Sequence, residues 1–320
     1  MPHFFFPVWG LVSKIEDDLY TVGDFSINKR LWQVTTFDLA TLTAYHKVNL
    51  PYGLMDVYLR KAHFEISVTA NSREEAVEKL NLFKAMLYAS GSPSLLCPLV
   101  STHSFNDYAG INSRDSRILK DKIPEGLKEG ITSETAKVEV WPNDMHLYCY
   151  FPKSSTPITK EMADSSWENF KKWEKISKEK KELKTVQAAL IDAPFMDNVA
   201  SSLLHIWTGI EALFPDVRSE VSFRISLLIA QLSSPIQPAI DTYREARESY
   251  THRSSAAHGS VSKIKHEHWD AAWNILIRSL NGILKRGRLP KEADLIEEML
   301  TGVSRPSEGK TLDQDVGAGG

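Results

Sequence analysis

Leu203-Leu204-His205-Ile206-Trp207-Thr208-Gly209-Ile210-Glu211-Ala212-Leu213-Phe214 is the stretch on which the fold turns. Apolar residues fall on most sides of a 3.6-residue period, so the segment predicts a helix over about 196–214 that lies at the centre of a bundle. Pro215 stops it. Downstream, 220–232 reads as a helix ended before Pro235, and 238–257 as another that passes through Tyr243 and Tyr250 and stops at Gly259. From His266, Trp269, Trp273, Leu276, Leu280 and Leu284 recur at three- and four-residue spacing and predict a further helix. Upstream, Ser165 and Glu168 have the spacing of a capping box. The helix they start puts Trp167, Phe170, Trp173 and Ile176 on one side, with the Lys-rich run 171–184 as a solvated face. Five helices over 160–290 make an all-α bundle.

The first half reads differently. Segments 19–27, 31–39, 57–70 and 137–151 are β-rich, and 1–12, with Phe4-Phe5-Phe6, reads as a strand rather than a signal peptide. Phe64, Ile66 and Val68 alternate with Glu65 and Ser67, the pattern of a half-buried strand. Ser72 with Glu75 is a capping box for a helix whose buried stripe is Leu80, Phe83, Met86 and Leu87, ending near Gly91-Ser92-Pro93. Between 107 and 135 the chain is polar and Gly-spotted, read as loop with a short helix. The expected fold class is therefore α+β: a mixed, β-rich α/β domain over 1–155, an all-α bundle over 160–290, and a disordered tail over 301–320.

Composition fits two ordinary globular domains: 320 residues, 42% hydrophobic and 25% charged. The net charge of −3 lacks the basic signature of a DNA-coating protein. Between 160 and 290, however, 19 Lys/Arg stand against 16 Asp/Glu, which permits RNA binding without requiring it. Cys97 and Cys149 are too few for a disulfide framework and form no CxxC pair, so they read as free thiols in a reducing cytosol. No stretch of about 18 apolar residues predicts a membrane span.

Three motifs compete for the chemistry. Gly309-Lys310-Thr311 resembles the end of a phosphate loop, but the first glycine of such a loop would stand where the chain has Ser304. His266-Glu267-His268-Trp269-Asp270 has an HxHxD form and allows a metal-dependent hydrolase, although Ala271 replaces the further His that such a site uses. No HExxH or GxSxG is present. The third is Tyr250-Thr251-His252-Arg253-Ser254-Ser255-Ala256-Ala257-His258-Gly259, in which small residues separate Arg253 from His258.

RNA cleavage without a metal needs a base for the 2′-OH proton, an acid for the departing 5′-oxygen and a cation for the phosphorane. Histidine supplies either proton transfer near neutral pH, and arginine offers a planar fork to two phosphate oxygens. Arg253 and His258 are thus a minimal set. Five helical residues span about 500°, which leaves the two roughly 140° apart on a straight helix. Either the helix breaks near Ser254-Ser255 or a second protomer completes the site. Without further context, an Arg and a His five apart also suit a surface pair.

The helix around Trp207–Phe214, then Phe223-Arg224-Ile225-Ser226, then the Tyr250–Gly259 motif together resemble the Apea-like HEPN family, in which a Trp-x-x-x-Glu-Ala-Leu-Phe-like helix precedes an Arg-Ser-x-x-x-His-Gly-like element. The resemblance covers about 160–290. It implies a HEPN helical bundle that dimerises through the motif helices, and a metal-independent endoribonuclease that leaves a cyclic phosphate and acts as a toxin or anti-phage effector. Arg253 and His258 match its catalytic pair, with no cofactor and no metal. Glu211 matches an acidic position that orients the Arg or the His; as a packing carboxylate it would instead pair with Arg224 or Arg253. Many active members carry Asn, Asp or His directly after the Arg, where this chain has Ser254. Arg244 and Arg247, upstream on the same helix, are placed to track an RNA backbone or to serve as exposed helix charges.

The function expected is a cytoplasmic endoribonuclease with an RNA substrate and a homodimeric site, regulated by an N-terminal domain that receives a phage-derived trigger or an antitoxin. The alternative is a HEPN domain without catalysis, serving as an interaction or nucleotide-binding module.

Overall fold

Six strands form one antiparallel sheet in the computed structural model, which describes residues 1–46, 51–113, 139–143, 146, 148–178 and 180–302. The chain divides into two compact units, Met1–Phe170 and Lys171 onward.

The first unit contains β1 (His3–Val8), β2 (Leu19–Val22), β3 (Phe25–Lys29), α1 (Thr36–His46), α2 (Tyr52–Leu59), β4 (Phe64–Thr69), α3 (Arg73–Ala89), β5 (Leu99–Ser101) and β6 (Val140–Pro142). The sheet order is β2-β3-β4-β1-β5-β6, with Phe64 opposite Val8 and Phe25 opposite Val68. Ser72 caps α3 as expected, accepting from the Glu75 N–H at 3.2 Å, while the Glu75 carboxylate turns to the Asn71 N–H at 2.9 Å. Leu80, Phe83, Met86 and Leu87 are all buried, and Phe83 stacks on Phe25 with centroids 4.2 Å apart.

Several expectations for this unit need correction. Segment 19–27 is β as read, and it folds as a hairpin turned at Gly23 with φ +55°. A Cβ there would lie 2.2 Å from the Trp167 ring, so only glycine suits both the backbone and the packing. Segment 31–39 is not β: Thr35 and Asp38 make a reciprocal cap, with the Thr35 N–H and hydroxyl donating to Asp38 Oδ2 and the Asp38 N–H donating back to Thr35 Oγ1, and α1 starts there. The start of 57–70 belongs to α2. Strand β4 has the predicted alternation but is buried on both faces, Glu65 and Ser67 included. There Glu65 accepts from Arg30 Nε at 2.8 Å, from the Ser104 hydroxyl at 2.8 Å and from the Phe105 N–H at 3.2 Å. Burial raises its carboxyl above the usual range, and Arg30 and Ser104 pull it partly back. Of 137–151, β6 is the strand present among the described residues. The expected loop of 107–135 carries short 3₁₀ turns at Phe105–Tyr108 and Ile111–Ser113, and 114–138 lie outside the described residues.

Helix α4 (Lys160–Ser177) starts five residues before the predicted cap. Thr159 Oγ1 accepts from the Met162 N–H at 3.2 Å and takes the capping role assigned to Ser165, which stands within the helix. Trp167 and Phe170 of α4 pack on Phe25, so the first unit extends to 170, beyond the 155–160 junction read from composition.

The second unit contains α5 (Lys181–Asp192), α6 (Val199–Ala212), α7 (Val221–Leu232), α8 (Ala239–Ala257), α9 (His266–Arg286) and α10 (Glu292–Thr301). Helices α5 and α10 add to the expected set: the lysine run 171–184 spans two helices, and α10 is held by the buried pair of Arg286 with Glu298, at 2.9 Å. Asn198 caps α6, accepting from the Ser201 N–H at 2.8 Å. Helix α6 packs against α5, α8 and α9, and Leu203, Ile206, Trp207 and Ile210 are fully buried, as its sequence predicts for a central helix. Trp269, Trp273, Leu276, Leu280 and Leu284 of α9 are buried as expected. Residues 303–320, nearly all of the predicted tail, lie outside the described residues; Thr301 ends α10. Among the described residues no helix is long and apolar enough to cross a membrane.

Candidate active site

Helices α6 and α8 lie side by side, tied by the Trp207 indole N–H, which donates to Ser249 Oγ at 3.2 Å, and by the edge-to-face contact of Trp207 with Tyr250 at 5.0 Å. Those contacts set the register that brings Glu211 to Arg253. The Arg253 Nη2 donates to Glu211 Oε2 at 3.1 Å, with both side chains about a quarter exposed. The guanidinium also sits 5.5 Å from the centroid of the Tyr250 ring. Two atoms of this group, Arg253 Nε and Glu211 Oε1, are buried without a hydrogen bond. Burial, and next the facing Glu211 carboxylate, push the Tyr250 hydroxyl above its ordinary pKa, and Arg253 opposes them. Glu211 therefore pairs with Arg253, whereas Arg224 pairs with Glu292.

Helix α8 runs unbroken through Ser254 and Ser255 to Ala257, so no helix break brings Arg253 and His258 together. His258 stands at the C-cap, exposed, followed by Gly259 at φ +85°. Regular helical geometry leaves Arg253 and His258 roughly 140° apart. The same geometry puts Arg247 within about 20° of His258, three turns away, and Arg244 within about 40°. Arg247 Nη1 donates to Ser222 Oγ at 3.0 Å, and Arg244 is exposed, 3.9 Å from Asp241. The predicted residues thus divide in two. Arg253 and Glu211 are held together between α6 and α8, while Arg244, Arg247 and His258 share another face of α8.

The HxHxD segment does not assemble a ligand set. The His268 ring stacks on His252, with centroids 3.6 Å apart, and its Nδ1 accepts from the Lys265 N–H at 3.2 Å, capping α9. His266 packs on Trp269. Among the described residues no group of three or more His, Cys, Asp or Glu side chains is placed to hold a metal ion.

Tyr250 was present in the motif but had no role read from sequence; its i, i+3 spacing from Arg253 was the available signal. The His252–His268 stack had none, because it joins two helices. Comparison of the chain with family models, with curated protein sequences and with solved structures finds no match in any of the three.

Proposed function

We propose that the second unit is a HEPN-type, metal-independent endoribonuclease, a toxin or anti-phage effector that cleaves RNA at a site completed by a second copy of the chain. The observation that carries the reading is the Arg253–Glu211 pair. It fixes a guanidinium beside α6 with Nε and Glu211 Oε1 still unsatisfied, while His258 of the same helix is exposed and too far round it to serve the same phosphate. In a homodimer packed through α6 and α8, Arg253 of one protomer faces the phosphate that His258 of its partner approaches. That histidine takes the 2′-OH proton and returns a proton to the departing 5′-oxygen, and the arginine stabilises the phosphorane, leaving a cyclic phosphate. Arg244 and Arg247 contact flanking phosphates. The first unit regulates this activity from the cytoplasm by receiving a phage-derived trigger or an antitoxin.

One observation favours the second reading, a catalytically silent interaction or nucleotide-binding module: Arg253 already has a carboxylate and an aromatic partner within the protomer. Sequencing of RNA ends after induction separates the two. The nuclease produces new cyclic-phosphate ends, in cells and in EDTA, that disappear in His258→Ala and Arg253→Ala. Ends that are unchanged by either substitution, or absent from wild type, favour the silent module.

A further inference from the structure

In the first unit a cavity of about 190 Å³ lies beside α2, lined chiefly by Trp9, Leu54, Met55, Tyr58, Leu96 and Leu99. Its floor is almost wholly apolar. The Tyr58 hydroxyl is already engaged, accepting from the Trp9 N–H at 3.0 Å and lying 2.8 and 2.7 Å from the carbonyls of Pro7 and Leu96. Lys61 and His146 also line the cavity. The Lys61 ammonium stands 5.2 Å from the centroid of the Trp9 ring, and among the described residues no carboxylate lies within ion-pair distance of it. The rim is apolar as well: Val57 is 51% exposed.

These features constrain a ligand. A dry apolar cavity of about 150 Å³ accommodates one benzene ring, so this volume admits a single ring or a short chain and excludes drug-sized molecules. An anion carried on that body remains at the mouth, beside the exposed Lys61, and escapes the cost of burying a charge. We propose that the cavity binds a small monocarboxylic acid with a ring-sized apolar body, its carboxylate on Lys61. This proposal does not depend on the nuclease reading.

Fluorine NMR titration of the full chain with 4-fluorophenylacetate, alongside the neutral 2-(4-fluorophenyl)ethanol, tests it. The acid binds saturably. Lys61→Gln weakens the acid at least fivefold and leaves the alcohol unchanged. Val57→Trp, at the exposed rim, abolishes binding of both with an unaltered melting curve, and Leu54→Trp serves should Val57→Trp fail to fold. Absence of saturable acid binding by wild type, equal affinity of Lys61→Gln for the acid, or binding that survives a Trp plug in a folded variant overturns the proposal.

Discussion

Arg253 of α8 and Glu211 of α6 form a partly buried ion pair, Nη2 to Oε2 at 3.1 Å, whose inner atoms Nε and Oε1 have no hydrogen-bond partner. A pair of this kind contributes position more than energy, since desolvation offsets most of the attraction. Removing one partner is different, because the other is left half-buried and unpaired. Glu211→Ala and Arg253→Ala should each lower stability by about 1–3 kcal/mol, and the double variant by less than the sum. Urea denaturation of the four proteins measures this. Additive losses would show that the two side chains do not interact.

His258 calls for the opposite expectation. It is exposed at the C-cap of α8, so His258→Ala should change stability by no more than about 0.5 kcal/mol. As a proton-transfer group it should still cost RNA cleavage about 10²-fold or more. Arg247, on the same face, should affect binding instead: Arg247→Ala weakens RNA binding across sequences and reduces the salt slope by about 1. Fluorescence anisotropy at several salt concentrations reads this, and a slope equal to wild type would remove Arg247 from the RNA path.

What the sequence revealed of all this depended on range. The Ser72 cap, the apolar α6 and the tryptophan spacing of α9 are local signals, and the structure repeats them. Segment 31–39 misled because Trp32, Val34, Thr35 and Phe37 favour strands, whereas the Thr35–Asp38 cap decides for helix. Glu65 looked solvent-facing because the groups that satisfy it, Arg30 and Ser104, lie 35 and 39 residues away. At the candidate site the motif on α8 was legible, and Glu211 was already one of its expected neighbours. Its choice of Arg253 over Arg224 was not, because that choice depends on how Trp207 and Tyr250 set α6 against α8.

Gly209 offers a test of that packing. An alanine inside a helix should gain about 1 kcal/mol over glycine. Here the added Cβ would lie 2.5 Å from the Ala189 Cβ on α5, and overpacking of this kind costs about 1–3 kcal/mol. With the contact well inside van der Waals distance, the steric cost prevails and Gly209→Ala is net destabilising. Adding Ala189→Gly relieves the clash, so the double variant should be more stable than the two single effects predict. A stabilised Gly209→Ala would mean that α5 and α6 separate at little cost.

The stacked pair His252–His268 makes stability depend on pH. Burial, and next the adjacent His252, hold the His268 imidazole below its usual pKa of 6.5; Lys265 acts in the same direction, and Glu267 and Glu248 oppose. Protonation would also place a hydrogen on Nδ1, which now accepts the Lys265 N–H that caps α9. With the folded pKa depressed, the unfolded chain binds more protons between the two values, so stability rises with pH across that window. The contribution is fully present above about pH 6.5 and is lost as pH falls through the folded value. Melting temperatures from pH 7.5 to 5.0 should therefore decline less steeply in His268→Gln, which keeps a capping acceptor at the same helical position. His252→Ala should flatten the decline only in part, since burial of His268 persists. An unchanged decline in His268→Gln would assign the acid sensitivity to groups other than this pair.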